Sequence, residues 1–149
     1  LPNIKHFGTL SPIPGFRDWF SYLEDGKIKN ILGDVPVENI SFLKSPDLKV
    51  GDPRIVSNKV AITKLVAHYL MNEKDKKKLP INDVCRFHLG NGAIIDDIII
   101  NANVSEVGLN RSFGVMVNYL YELKNIEKNH EEYINNKTII ISDKLKKII

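Results

Sequence analysis

The sequence contains very little cysteine and no long hydrophobic run. Cys85 is the only cysteine among 149 residues, so the chain cannot form an internal disulfide, and this composition is typical of a reducing compartment. No stretch of ~18 consecutive apolar residues occurs, and a membrane-spanning helix needs about that length. No secretory or organellar targeting signal is visible either. We therefore expect a cytoplasmic protein that does not bind membranes.

The sequence also lacks the signatures of metal, nucleotide and nucleic-acid sites. No group of His, Cys and carboxylate residues has metal-ligand spacing, and neither a P-loop nor a GxSxG elbow occurs. The net charge is only +3. The one basic cluster, residues 74–78, has no interleaved aromatic residues, so we expect no nucleic-acid binding. It is typical of a solvated helix end, and the alternative is a patch that attracts a phosphate-bearing ligand.

What the sequence does contain is the composition of one globular domain, with 43% hydrophobic and 26% charged residues. Apolar periodicity predicts alternating helices and strands, hence an α/β or α+β domain with a thin mixed sheet flanked by helices. Residues 27–53, which contain three prolines, are predicted to be a loosely structured insertion. The predicted strands are residues 5–10, 93–101, 114–121 and 138–141, and the predicted helices are residues 16–25, 55–72, 126–133 and 142–149.

Ser11 stands at the end of the first predicted strand, directly before Pro12-Ile13-Pro14-Gly15. Two prolines and a glycine fix the backbone in a rigid turn. Such a turn holds a hydroxyl group in one direction, as a catalytic or binding serine requires. The alternative is that Ser11 only caps the turn or helix that follows, which is the more common use of serine at such a position.

His88 precedes Gly90-Asn91-Gly92, and turn signals of this kind predict a loop-to-strand junction. Histidine can donate or accept a proton near neutral pH, and the glycines would let a substrate approach the backbone. The alternative is a structural histidine held by hydrogen bonds. Asn91 would either orient the imidazole or serve only as a turn residue. An isolated cysteine such as Cys85 is more often an inert buried side chain than a nucleophile.

Four segments resemble the malonyl-CoA decarboxylase family. LSPIPGFRDWF at residues 10–20 is similar to the family's SPIPGF segment, and FHLGNGA at residues 87–93 is similar to its FHLxNGA segment. GVMVNYLYEL at residues 114–123 and IEKNHEEYINN at residues 126–136 resemble the family in the same order. The resemblance therefore covers nearly the whole chain and is weakest at residues 27–53.

The resemblance implies a GNAT-like domain that binds an acyl-CoA thioester. It implies that malonyl-CoA is converted to acetyl-CoA and carbon dioxide without a metal or organic cofactor. Ser11 matches the family's catalytic serine and His88 its catalytic histidine, while Tyr121, Asn91 and Asn118 are weaker candidates for substrate binding. Ser11 would position the malonyl group or relay a proton, and His88 would protonate the enolate carbon.

Family members are longer, with a helical N-terminal domain and a front half of the catalytic domain that should hold the CoA pyrophosphate. The chain begins with Leu1 rather than Met, in an apolar segment. We therefore expect residues 1–149 to be the C-terminal part of the catalytic domain, completed by the parent protein or by another chain and homo-oligomeric as in the family. Two alternatives remain open: a non-catalytic remnant of that enzyme, and a GNAT-type acyl-CoA acyltransferase.

Overall fold

The computed structural model describes residues 4–149, which form a small antiparallel sheet surrounded by helices. Short 3₁₀ turns occupy Val37–Asn39, Ser41–Lys44 and Leu123–Asn125. In chain order the strands and α-helices are β1 (His6–Ser11), α1 (Phe16–Ser21), α2 (Asp25–Leu32), α3 (Pro53–Ser57), α4 (Lys59–Asn72), α5 (Asp83–Gly90), β2 (Ile94–Ile99), α6 (Glu106–Ser112), β3 (Met116–Glu122), α7 (Ile126–Asn136) and α8 (Asp143–Ile148).

The sheet has the strand order β1-β3-β2, and both pairings are antiparallel. Along β1 and β3, Ser11 lies opposite Val117 and Phe7 lies opposite Tyr121. The register between β2 and β3 shifts at a bulge between Ile95 and Asp97. Within the described residues β1 pairs with β3 alone, so its second edge is open.

Alternation along β3 separates a buried face from a half-exposed one, as the period of two in the sequence predicts. Val117, Tyr119 and Tyr121 are buried, whereas Asn118 and Leu120 between them are partly exposed. Residues that lie directly opposite each other in an antiparallel pair share a face of the sheet. Ser11 at the end of β1 therefore lies on the same face as the two tyrosines, and this face carries the candidate site.

The helices pack an apolar core against this face. α4 buries the stripe that its sequence pattern predicts, which includes Ile62, Leu65 and Leu70. In α1 the ring of Phe16 is fully buried, with its centroid 5.6 Å from that of Tyr69 and 5.9 Å from that of Phe113. The aromatic face of α1 is therefore part of the core.

The helix-and-strand fold class is confirmed, and three local predictions are wrong. Residues 27–53 are not loosely structured, because α2 runs through their start and its Ile28 and Leu32 are fully buried. The helix predicted at residues 16–25 ends at Ser21, and α2 begins at Asp25 and contains Gly26. The fourth predicted strand is reduced to one parallel bridge between Ile95 and Ile141. That bridge is the only parallel pairing with the sheet in the described part of the chain.

The basic cluster lies on a loop beyond the end of α4 rather than on the helix itself. Asp75 closes this loop, because its Oδ1 atom accepts hydrogen bonds from the backbone N–H groups of Lys77 and Leu79. Across residues 4–149, no helix is long and apolar enough to cross a membrane. The same residues contain no group of three or more His, Cys, Asp or Glu side chains arranged to hold a metal ion.

Candidate active site

His88 lies in the last turn of α5, not at the loop-to-strand junction that the glycines predicted. The helix forms because Asn82 caps it: the Asn82 Oδ1 atom accepts a hydrogen bond from the Cys85 N–H group at 2.9 Å. The His88 carbonyl then accepts from the N–H groups of Asn91 and Ala93, which ends the helix. An asparagine three residues before Cys85 was the signal in the sequence that could have predicted this helix.

Ser11 is the last residue of β1 and is only 4% exposed. It does not cap α1, because the N-cap position is Gly15, which has a φ of 87° and makes no side-chain capping bond. Instead, Ser11 Oγ lies 3.1 Å from His88 Nε2. The alternative role of Ser11 as a helix cap is therefore wrong, and its hydroxyl faces the histidine.

The other nitrogen of His88 also has a hydroxyl partner. His88 Nδ1 lies 2.6 Å from Tyr121 Oη, so Ser11, His88 and Tyr121 form one hydrogen-bonded chain. When the ring is neutral and carries its proton on Nδ1, that N–H donates to Tyr121 and Nε2 accepts from the Ser11 hydroxyl. When the ring is protonated, both nitrogens donate. Both hydrogen bonds of His88 can therefore form whether its ring is neutral or protonated.

Asn82 joins the turn that follows Ser11 to the helix that carries His88, although Ser11 and His88 are 77 residues apart. Asn82 Nδ2 donates to the Pro14 carbonyl at 3.0 Å while its Oδ1 caps α5. Tyr69 Oη also donates to the Pro14 carbonyl, at 3.4 Å. The rigid turn after Ser11 is thus fastened to the start of the helix that carries His88.

Burial sets the protonation of the groups around the site. It lowers the pKa of His88, so the imidazole is mostly neutral near pH 7 in the free protein. It raises the pKa of Tyr121, and the Asn91 side chain opposes that rise. It raises the pKa of the Cys85 thiol to about 12. Cys85 is therefore protonated and fully buried, in agreement with an inert side chain.

The remaining candidates are divided between the two faces of the sheet. Asn91 is the C-cap residue of α5, and its side chain lowers the pKa of the Tyr121 hydroxyl against the effect of burial. Asn118 lies on the opposite face, where its Nδ2 atom donates to Asp96 Oδ2 at 3.1 Å. The structure therefore brings Ser11, His88 and Tyr121 together, with Asn91 adjacent, and leaves Asn118 apart.

Gly92 has a packing role rather than the substrate-approach role that the sequence allowed. Its φ is 90°, and a Cβ atom there would lie 2.4 Å from the Ile126 carbonyl oxygen. Asn129 Nδ2 also donates to the Gly92 carbonyl at 3.2 Å. The glycine therefore lets α7 pack directly against the turn that follows α5.

Comparison with known proteins identifies the family to which this geometry belongs. The sequence model described as "Malonyl-CoA decarboxylase C-terminal domain" matches residues 1–149. The chain belongs to the malonyl-CoA decarboxylase family. It is 30% identical to the mitochondrial malonyl-CoA decarboxylase of Rattus norvegicus over 167 aligned residues, which cover 100% of this chain and 34% of that protein. It is 31% identical to the enzyme of the same name from Anser anser anser, covering 97% of this chain and 32% of that protein.

Solved structures of malonyl-CoA decarboxylases show the same fold. The crystal structure from Rhodopseudomonas palustris matches with a TM-score of 0.86 and 34% identity, over 99% of this chain and 34% of that one. The structure from Agrobacterium vitis matches with a TM-score of 0.83 and 33% identity, over 99% and 36% of the two chains. The chain thus spans about one third of the length of these family members.

The lowered pKa of His88 predicts that acidification destabilises the fold. In the unfolded chain the histidine pKa is about 6.5, above its folded value. Between the two values the unfolded state binds a proton that the folded state does not. The contribution of His88 to folding stability should therefore be fully present above pH ~6.5. It should fall as the pH drops below that value and level off below the folded pKa. Urea midpoints measured between about pH 7.5 and pH 5 should fall less in His88→Gln than in the wild type; equal slopes would contradict the lowered pKa.

Proposed function

We propose that this chain provides Ser11, His88 and Tyr121 to an active site that converts malonyl-CoA to acetyl-CoA and carbon dioxide. The observation that carries this proposal is the hydrogen-bonded chain from Ser11 through both nitrogens of His88 to Tyr121. It occurs in a member of a family whose relatives are named malonyl-CoA decarboxylases. Its groups suit a reaction that needs one proton delivered to carbon.

Substrate binding would favour the protonated form of His88, which takes its proton from solvent. The buried imidazole is mostly neutral in the free protein, but a malonyl carboxylate placed nearby favours its protonated form. The position of His88 in the last turn of α5 adds a smaller effect of the same sign, because a helix C-terminus stabilises a cation. Binding of the substrate therefore favours protonated His88, and this imidazolium is the acid that the decarboxylation requires.

Loss of carbon dioxide then creates the basic carbon that takes up the proton. The C–C bond electrons move into the thioester to form an enolate, and the carboxylate leaves as a neutral molecule. The negative charge stays in the site on the enolate, and the enolate carbon takes up a proton from the imidazolium to form acetyl-CoA. His88 returns to its neutral form and is reprotonated from solvent in the next cycle. The proton consumed balances the overall reaction.

The geometry favours delivery of this proton through Ser11. Both imidazole nitrogens already have partners, with Ser11 at Nε2 and Tyr121 at Nδ1. A proton leaving Nε2 therefore passes to Ser11 Oγ as the serine hydroxyl donates its own proton to the enolate carbon. Tyr121 accepts from Nδ1–H and stabilises the charged ring. Asn91 remains a substrate-binding candidate beside Tyr121, and for Asn118 that role stays a prediction.

The rest of the site would come from outside these residues. The relatives are about three times as long as this chain, so we propose that the CoA part of the substrate is held by the parent protein or by a second chain. Homo-oligomerisation and a cytoplasmic location stay predictions. The names of the rat and mouse relatives place those proteins in mitochondria.

A product assay on the native protein tests the proposal. With malonyl-CoA labelled in its free carboxyl group, we expect one carbon dioxide for each acetyl-CoA, and Ser11→Ala should lower the rate by about 100-fold or more. Ser57→Ala is the matched control, because Ser57 is an exposed serine on α3. Malonyl transfer to an amine without carbon dioxide would indicate an acyltransferase. Absence of both products, with no malonyl-CoA binding by calorimetry, would indicate a non-catalytic remnant.

A further inference from the structure

Strand β3 contacts His88 at two places. Tyr121 reaches the Nδ1 edge of the ring. Tyr119, two residues earlier on the same buried face, lies flat against the ring, with centroids 4.4 Å apart and an angle of 18° between the planes. Tyr119 is fully buried. One strand therefore holds both the edge and the face of the imidazole.

The hydroxyl of Tyr119 does not account for a tyrosine at this buried position. It lies near the Cys85 thiol without meeting hydrogen-bond geometry, and within residues 4–149 Tyr119 Oη has no hydrogen-bond partner. Burial raises its pKa far above the usual range, so the group stays neutral and protonated. A buried hydroxyl without a partner costs free energy. The useful part of Tyr119 is therefore its ring.

The stacked ring adds a second restraint on a motion that the two hydrogen bonds also oppose. The torsion about Cβ–Cγ of histidine is broad, and both hydrogen bonds of His88 lie along the edge of its ring. A tilted ring would turn Nε2 away from Ser11 and Nδ1 away from Tyr121. The centroid of the Phe87 ring lies 5.2 Å from that of the imidazole, and the two rings meet edge to face. Because Phe87 is 64% exposed, it gives the imidazole little support. The buried, parallel ring of Tyr119 is the firmer support.

We propose that Tyr119 is a positioning residue for the reaction. Its ring holds the imidazole in the plane where Nε2 faces Ser11 and Nδ1 faces Tyr121, and its hydroxyl takes no part. The catalytic consequence rests on the proposed decarboxylation, whereas the positioning itself does not.

Two substitutions in the native protein separate the ring from the hydroxyl. Tyr119→Phe keeps the stack, so kcat for malonyl-CoA decarboxylation should stay within about twofold of the wild type. Tyr119→Leu keeps an apolar side chain but loses the stack, so kcat should fall ~10- to 100-fold while KM changes little. Equal losses in both variants, or a wild-type kcat in Tyr119→Leu, would overturn the proposal.

Histidine NMR tests the positioning without catalysis. The His88 ring protons, identified among those of the four histidines by their loss in His88→Gln, should be displaced upfield by the ring current of Tyr119. The displacement should persist in Tyr119→Phe and disappear in Tyr119→Leu, or in Tyr119→Met if the leucine variant does not fold. Its persistence without the aromatic ring would refute the stack. If the wild type releases no carbon dioxide, the proposed function fails, and this measurement still decides the role of Tyr119.

Discussion

Replacing His88 by alanine is expected to lower carbon dioxide release from malonyl-CoA by ~100- to 10,000-fold, the usual contribution of a general acid. The imidazole is the group in the Ser11–His88–Tyr121 chain whose ordinary pKa is nearest to neutrality, and the proton for the enolate carbon comes from it in the proposed mechanism. Steady-state kinetics of the native protein and the variant, with folding checked by circular dichroism, would measure the effect.

Two further variants make this prediction specific. His6→Ala should retain the wild-type rate, because His6 is exposed and lies opposite Glu122 at the far end of β1. The double variant with Ser11→Ala and His88→Ala should be no slower than His88→Ala alone, because residues that act as one relay are not additive. Fully multiplicative losses would show that the two residues act independently and would contradict the relay.

Replacing Gly92 by alanine is expected to cost ~2–4 kcal/mol of folding stability, which is large for the addition of one methyl group. The new Cβ atom would lie 2.4 Å from the Ile126 carbonyl oxygen, which belongs to the backbone of α7 and can move only with the helix. The φ of 90° adds strain for any residue with a side chain. Urea unfolding, read as the shift of the midpoint at constant m-value, measures this cost.

Gly26→Ala is the matched control for that experiment. Gly26 lies in α2, and a Cβ atom there would meet no heavy atom within 4 Å. Alanine favours the helical conformation over glycine by roughly 0.5–1 kcal/mol, so this variant should unfold at the same or a slightly higher urea concentration. If Gly92→Ala behaved in the same way, the tight packing of α7 against the turn after α5 would be wrong.

Local periodicity predicted the elements that carry a complete apolar pattern. The stripe in α4 and the alternation in β3 are both long enough to define a buried face. The alternation also separates Tyr121 from Asn118, since neighbouring residues of a strand point to opposite faces. The structure places Tyr121 against His88 and Asn118 against Asp96, as that period requires.

The position of His88 on a helix could not be predicted from the glycines that follow it. Gly90, Asn91 and Gly92 are typical of a turn, and the helix that ends at Gly90 has only eight residues, too few for a clear periodic signal. The approach of Ser11 to His88 depends on the bond from Asn82 to the Pro14 carbonyl, which joins residues far apart in sequence. Long-range packing of this kind leaves no local pattern.

The edge of β1 that is open within the described residues can pair with a strand from outside them. Its outward N–H and C=O groups form no ladder with the described residues, and the side chains of Phe7 and Leu10 are about half exposed. A bare edge with apolar side chains is a template for pairing with a strand of another chain, and proteins that leave such edges uncovered tend to aggregate. Self-association through β1 would involve the strand that ends at Ser11. Protein concentration is therefore a variable that any assay of this site has to control.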